Sequence, residues 1–82
     1  MSNNVEYKIE YGVDRETNQV TATIPELNHL SSFGSSFAEA EANVKEAALG
    51  YMEVLTQENR EIPKPAFHTE GTYLKIFIPK IA

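Results

Sequence analysis

Gly34-Ser35-Ser36-Phe37-Ala38-Glu39-Ala40 is the stretch that separates a region of strands from a region of helix. Ser36 and Glu39 stand three apart, the spacing of a capping box. The hydroxyl of the first accepts from the N–H of the second, and the Glu39 carboxylate is expected to reach back to the Ser36 N–H. Behind this start Phe37, Ala40, Val44, Ala47, Ala48, Tyr51 and Leu55 recur at helical spacing and form one apolar stripe. The reading predicts a helix from Phe37 to about Glu58. Gly50 falls inside it at a cost of roughly 1 kcal/mol relative to alanine. Either a close backbone approach or a tolerated flaw accounts for that glycine.

Working back from Gly34, the sequence changes period from 3.6 to 2. Val5, Tyr7, Ile9 and Tyr11 alternate with Glu6, Lys8 and Glu10, the pattern of a half-buried strand over 5–11. Gly12 to Asn18 is polar and turn-rich. Val20, Ala22 and Ile24 then alternate with Gln19, Thr21 and Thr23, so the two runs read as an antiparallel hairpin. Pro25 closes the second strand because it cannot donate to a ladder. A third short strand is expected around His29–Phe33, ended by Gly34.

Working forward, Ile62-Pro63-Lys64-Pro65 cannot continue a helix and reads as an extended connector. Gly71 opens and Pro79 stops a last strand, Tyr73 to Ile78, that is apolar on both sides. Leu74, Ile76 and Ile78 share one face; Tyr73 and Phe77 share the other. With the helix covering one side of the sheet, a doubly apolar strand requires a second cover, and at a sheet edge it is a template for another chain. Tyr73, Leu74, Ile76, Phe77 and Ile78 are therefore the candidate interface of a homodimer or higher oligomer. The alternative cover is the chain's own ends.

The chain is one domain of 82 residues, taken as 1–82. A domain of this size buries only roughly 60–65% of the surface its unfolded form exposes, so its core is thin. It has no cysteine, hence no disulfide to compensate and no thiolate for chemistry. Twelve acidic residues against seven basic ones give a net charge of −5. Such a surface repels phosphate backbones and suits a basic protein partner, or simply keeps a small domain soluble. No apolar run approaches a membrane span, and Met1-Ser2-Asn3-Asn4 lacks the form of a secretion signal, so a cytoplasmic location is expected.

No catalytic, cofactor or metal site emerges. His29 and His68 are far apart and carry no supporting motif. The glycines are isolated, and no nucleophile elbow surrounds Ser31-Ser32 or Ser35-Ser36. Asp14 lies in a hairpin loop. Of the helical carboxylates, Glu41 is placed to pair with Lys45 four residues on. Glu39, Glu46 and Glu53 are the candidate residues facing a basic partner. A nuclease reading would need carboxylates converging on two metal ions, and Glu6 and Glu10 are its only start; hybrid cleavage lost on Glu10→Gln would be its signature. The basic residues form no stripe for nucleic acid.

The ordered set of junctions resembles the HicB-like antitoxin family. It comprises the alternating strand Tyr7–Tyr11, Pro25-Glu26-Leu27, Gly34-Ser35-Ser36, Glu39-Ala40 with Asn43, Ile62-Pro63-Lys64-Pro65 and the hydrophobic strand Tyr73–Ile78. The resemblance spans residues 5 to 79. It implies an α+β fold of partial ribonuclease H-like type, β-β-β-α-β, a small sheet with one long helix on one face and without the enzyme's carboxylates. It also implies oligomers, and a function in which a small HicA-like mRNA-cleaving toxin is neutralised by masking its active site. Two departures stand out. Asn28-His29-Leu30 replaces the family's Pro-Gly-Cys-like continuation, and the family's C-terminal DNA-binding domain is not seen. The expectation is a stand-alone protein-binding module, an antitoxin or an orphan relative, the alternative being a self-assembling structural protein without a toxin.

Overall fold

The computed structural model describes residues 4–65 and 71–77. Strand β1 spans Asn4–Val13, β2 Val20–Ile24 and β3 Leu30–Gly34; helix α1 spans Phe37–Gln57 and β4 spans Thr72–Phe77. The fold is α+β in the expected β-β-β-α-β order. Four antiparallel strands lie in the order β3-β2-β1-β4, and α1 packs on one face, chiefly over β3 and β2.

The sheet is staggered about β1. Asn4 to Ile9 pair with β4, whereas Glu10 to Val13 pair with β2. The polar loop tightens the hairpin: Asp14 N–H donates to the Gln19 carbonyl at 2.8 Å, and Asp14 Oδ1 accepts from Glu16 N–H at 2.9 Å. The third strand starts one residue later than the sequence suggests. Asn28 and His29 both hold left-handed backbone, with φ of 58° and 56°, after a single 3-10 turn at Pro25–Leu27. A left-handed residue cannot extend a pleat, so His29 belongs to the turn and β3 begins at Leu30.

Gly34 ends β3 because the helix starts almost on top of it. A Cβ there would lie 2.8 Å from the Ala40 backbone nitrogen and from two Glu39 side-chain carbons. The cap itself differs from the simple box. Ser36 Oγ accepts from Glu39 N–H at 3.1 Å, but the Glu39 carboxylate passes Ser36 and takes the N–H and hydroxyl of Ser35, at 3.1 and 3.2 Å. At the other end Asn59, with φ 57°, supplies a left-handed stop. Its N–H reaches Thr56 O, and Arg60 N–H reaches Leu55 O. These are the paired bonds of a Schellman motif.

The buried stripe of α1 is Ala40, Val44, Ala48, Met52 and Leu55. Met52 was not in the expected set and Phe37 does not belong to it. Phe37 is 54% exposed in the first turn, where its ring meets Tyr11 edge-on at 5.4 Å. The stripe packs on Tyr7, Ile9, Val20, Ala22 and Ile24 from the sheet, with Leu27 closing one end.

Topology explains the proline-rich connector. Helix α1 folds back over β3, and β4 runs antiparallel to both β3 and β1, so the helix ends at the far end of the sheet from where β4 begins. The chain must return toward that end, and residues 60–65, outside regular secondary structure, begin the return. Ile62 packs on the core during this return, and Pro63 O accepts a 2.5 Å hydrogen bond from the hydroxyl of the fully buried Tyr7. Burial, with a smaller contribution from the negative charge of Glu26, pushes the Tyr7 phenol from 10.0 up to about 12.

Three substitutions test this account in urea unfolding followed by circular dichroism. Gly34→Ala should cost about 1–3 kcal/mol, because a backbone atom must move. Gly50→Ala should gain about 1 kcal/mol, since no atom lies within 4 Å of the Cβ it adds. Equal effects at the two glycines would contradict the packing described. Tyr7→Phe should cost about 1–3 kcal/mol by orphaning the Pro63 carbonyl. The folded Tyr7 keeps a proton that the unfolded chain releases near pH 10.0, so wild-type stability should fall as pH rises from there toward 12. The Phe variant should have lost that component of the fall.

Candidate functional site

Among the described residues the carboxylates form no converging group. Glu6 and Glu10 lie four residues apart on one strand, about 13 Å at the rise of an extended chain. Two-metal phosphoryl transfer requires ions ~3.5–4 Å apart held by shared carboxylates. Glu6 is also 3.7 Å from the Lys75 ammonium. Asp14 serves its own loop. Among the described residues no group of three or more His, Cys, Asp or Glu could hold a metal ion. His29 is exposed in the turn before β3, and His68 lies outside the described residues.

The helix presents its acidic residues in two ways. Glu39, Glu46 and Glu53 are exposed and recur every seven residues, which sets them along one line of α1. Glu39 is committed to Ser35 and so contributes to the cap; Glu46 and Glu53 face solvent. Glu41, expected to pair with Lys45, instead accepts the Tyr11 hydroxyl at 3.2 Å. Burial and then the Glu41 charge raise the Tyr11 phenol above its ordinary value.

The strongest candidate is the sheet's margin. Among the described residues β4 is an edge strand. Leu74 and Ile76 are buried under the helix side and the connector, at 5% and 0% exposure. Tyr73 is half-buried on the opposite face, where the register sets it across from Lys8 and sets Lys75 across from Glu6. Ile78 lies outside the described residues, and Phe77 pairs through its backbone with Asn4. The face of the sheet away from α1 also carries Thr21, Thr23, Ser31 and an exposed Phe33.

Backbone directions at the two margins follow from two hydrogen bonds. The Asp14–Gln19 bond makes that pair a bonded one, so bonded and non-bonded pairs alternate from it along β1 and β2. Thr21 then bonds to Gly12, and Phe33, opposite Thr21 on β3, points its N–H and C=O off the sheet. The second bond agrees: Asn43 Nδ2, from α1, donates to Phe33 O at 2.9 Å. Carried the other way, the alternation turns Ile9, Tyr7 and Val5 toward β4. Thr72, Leu74 and Ile76 point back to β1, and Tyr73, Lys75 and Phe77 direct their backbone groups outward.

Asn43 is the residue that reading the sequence alone does not place. It sits in an ordinary polar helical position, and only the seating of α1 against β3 brings its amide to the margin. Compared with known proteins, the sequence matches no family model and no curated protein. Among the described residues no helix is long and apolar enough to cross a membrane.

Proposed function

We propose that the chain is a non-catalytic protein-binding module of HicB antitoxin type, which engages a small basic mRNA-cleaving toxin in the cytoplasm and self-associates through its sheet. The observation that carries the reading is the edge position of β4, whose backbone groups at Lys75 turn away from β1. Support comes from the β-β-β-α-β order with one helix on one face, which is the order the resemblance implies. The exposed line through Glu46 and Glu53 offers a basic partner a complementary surface. A self-assembling protein without a toxin is the second reading, and the same edge favours it.

Co-expression with HicA-like toxins of basic composition should restore growth, and the two chains should co-purify in a salt-sensitive complex. Replacing Glu46 and Glu53 together by lysine should slow association by roughly tenfold at low salt, the size of effect that steering charges produce. Failure of every such toxin to be neutralised would leave only the self-assembling reading. Light scattering on the purified chain would then decide that one.

A further inference from the structure

The margin of the sheet at β3 is open, and one flank of α1 runs along it. Ser31 and Phe33 turn their backbone groups off the sheet, since Leu30, Ser32 and Gly34 bond to β2. Of those four groups the Phe33 carbonyl accepts from the Asn43 amide at 2.9 Å. The Ser31 N–H, the Ser31 carbonyl and the Phe33 N–H have no hydrogen-bond partner among the described residues. A strand laid beside β3 in either direction can bond all three. The strand also lacks the usual guards of an edge, since Leu30-Ser31-Ser32-Phe33-Gly34 holds neither proline nor charge.

Ala47, Gly50 and Val54 follow Asn43 at intervals of four, three and four residues, so they share its side of the helix. Ala47 stands about 6 Å beyond Asn43 along the axis, the length of about two strand residues, which sets it beside Ser31. A Cβ at Gly50 meets no described atom within 4 Å, and Val54 is more than half exposed. Glu46 and Glu53 lie about 60° further round, on the solvent rim of the same flank. On the other face of the sheet Phe33 is also more than half exposed.

We propose that this margin seats one extended basic segment of a partner protein, which adds to β3 as a strand with basic and apolar side chains in alternation. The proposal rests on the toxin-binding reading above and names its place. The alternation follows from the two sides of the seat. Side chains on the open face of the sheet lie beside Phe33, where an apolar one packs. Those on the helix side pass Ala47 and Gly50, which leave room for a lysine or arginine stem whose head reaches Glu46 or Glu53. The net charge of −5 favours the same partner. A second copy joined through its own β3 does not fit. Paired strands lie about 4.8 Å apart and packed helices about 8–10 Å, yet each copy would bring an α1 seated over that strand.

The test titrates the full chain with a short blocked peptide in which lysine alternates with valine, read by calorimetry and amide hydrogen exchange. At saturation the Ser31 and Phe33 amides should exchange about tenfold more slowly, as amides that enter a ladder do. A peptide with glutamate in place of lysine should bind at least about tenfold more weakly. Ser31→Pro removes an outward N–H, leaves the β2 ladder its bonds and should abolish binding. Gly50→Leu fills the helix side of the seat at an open position, keeps the fold where proline disturbs it, and should weaken binding by about tenfold. Equal binding of the two peptides overturns the basic occupant. Absence of binding, or binding that leaves both amides unchanged, overturns the seat. Ser31 and Phe33 amides already slow in the dilute free chain assign the margin to the chain's own segments. Amides that slow only as the chain alone is concentrated assign it to a second copy, and either result overturns the proposal. HicA-like toxins neutralised as well by Ser31→Pro and Gly50→Leu as by wild type would keep the toxin reading and overturn β3 as its place. Failure of every toxin while the peptide still binds at β3 overturns the toxin reading alone.

Discussion

The hydrogen bond from the Tyr7 hydroxyl to the Pro63 carbonyl holds the two ends of the architecture together. A helix that folds back over β3 leaves the chain at the wrong end of the sheet to begin β4. The connector must cover that distance, and its described part, residues 60–65, has no regular secondary structure, which makes it costly to order. Two prolines lower that cost by restricting the unfolded chain. Tyr7, fully buried in the strand shared by both halves of the sheet, then fixes where the connector lies. Without that anchor the pairing of β4 with β1 would be a non-local contact with little to guide it.

The remaining local devices are those a thin core needs. An 82-residue chain without cysteine has few sources of stability beyond burial. The helix is closed at both ends by polar contacts, with Ser36 and Glu39 before it and Asn59 after it. The first turn sits so close to β3 that only glycine fits at position 34. That closeness in turn brings α1 near enough to β3 for the short Asn43 side chain to reach the Phe33 carbonyl. The edge contact is thus a consequence of the packing at Gly34, nine residues earlier.

Period and punctuation made the elements legible, because both act within a few residues. The alternation from Val5 to Tyr11, the Ser36–Glu39 spacing and the prolines each constrain the backbone locally. What lay beyond reach depended on distant partners. The Glu39 carboxylate could choose Ser35 over Ser36, and only the loop geometry decides. Phe37 matches the helical stripe, yet at the first turn it falls past the sheet's cover and meets Tyr11 edge-on instead. Met52, four residues beyond Ala48, completes the buried line of the helix. The candidate site followed the same division. A last strand with apolar residues on both sides could be read directly, whereas the contact at the opposite margin involves a helix amide and a strand carbonyl ten residues apart.

A sheet face with hydroxyls and one exposed phenylalanine is not in itself a binding site, since antiparallel sheets commonly face water on one side. The margin is different, because a strand's backbone groups bond in only two directions and one is already taken. In this fold the Phe33 carbonyl at the β3 margin accepts from the Asn43 amide, and Lys75 on β4 lies 3.7 Å from Glu6. Lysine on an edge discourages indiscriminate pairing, and pairing it in advance with a carboxylate of its own sheet lessens that penalty for a partner in the right register.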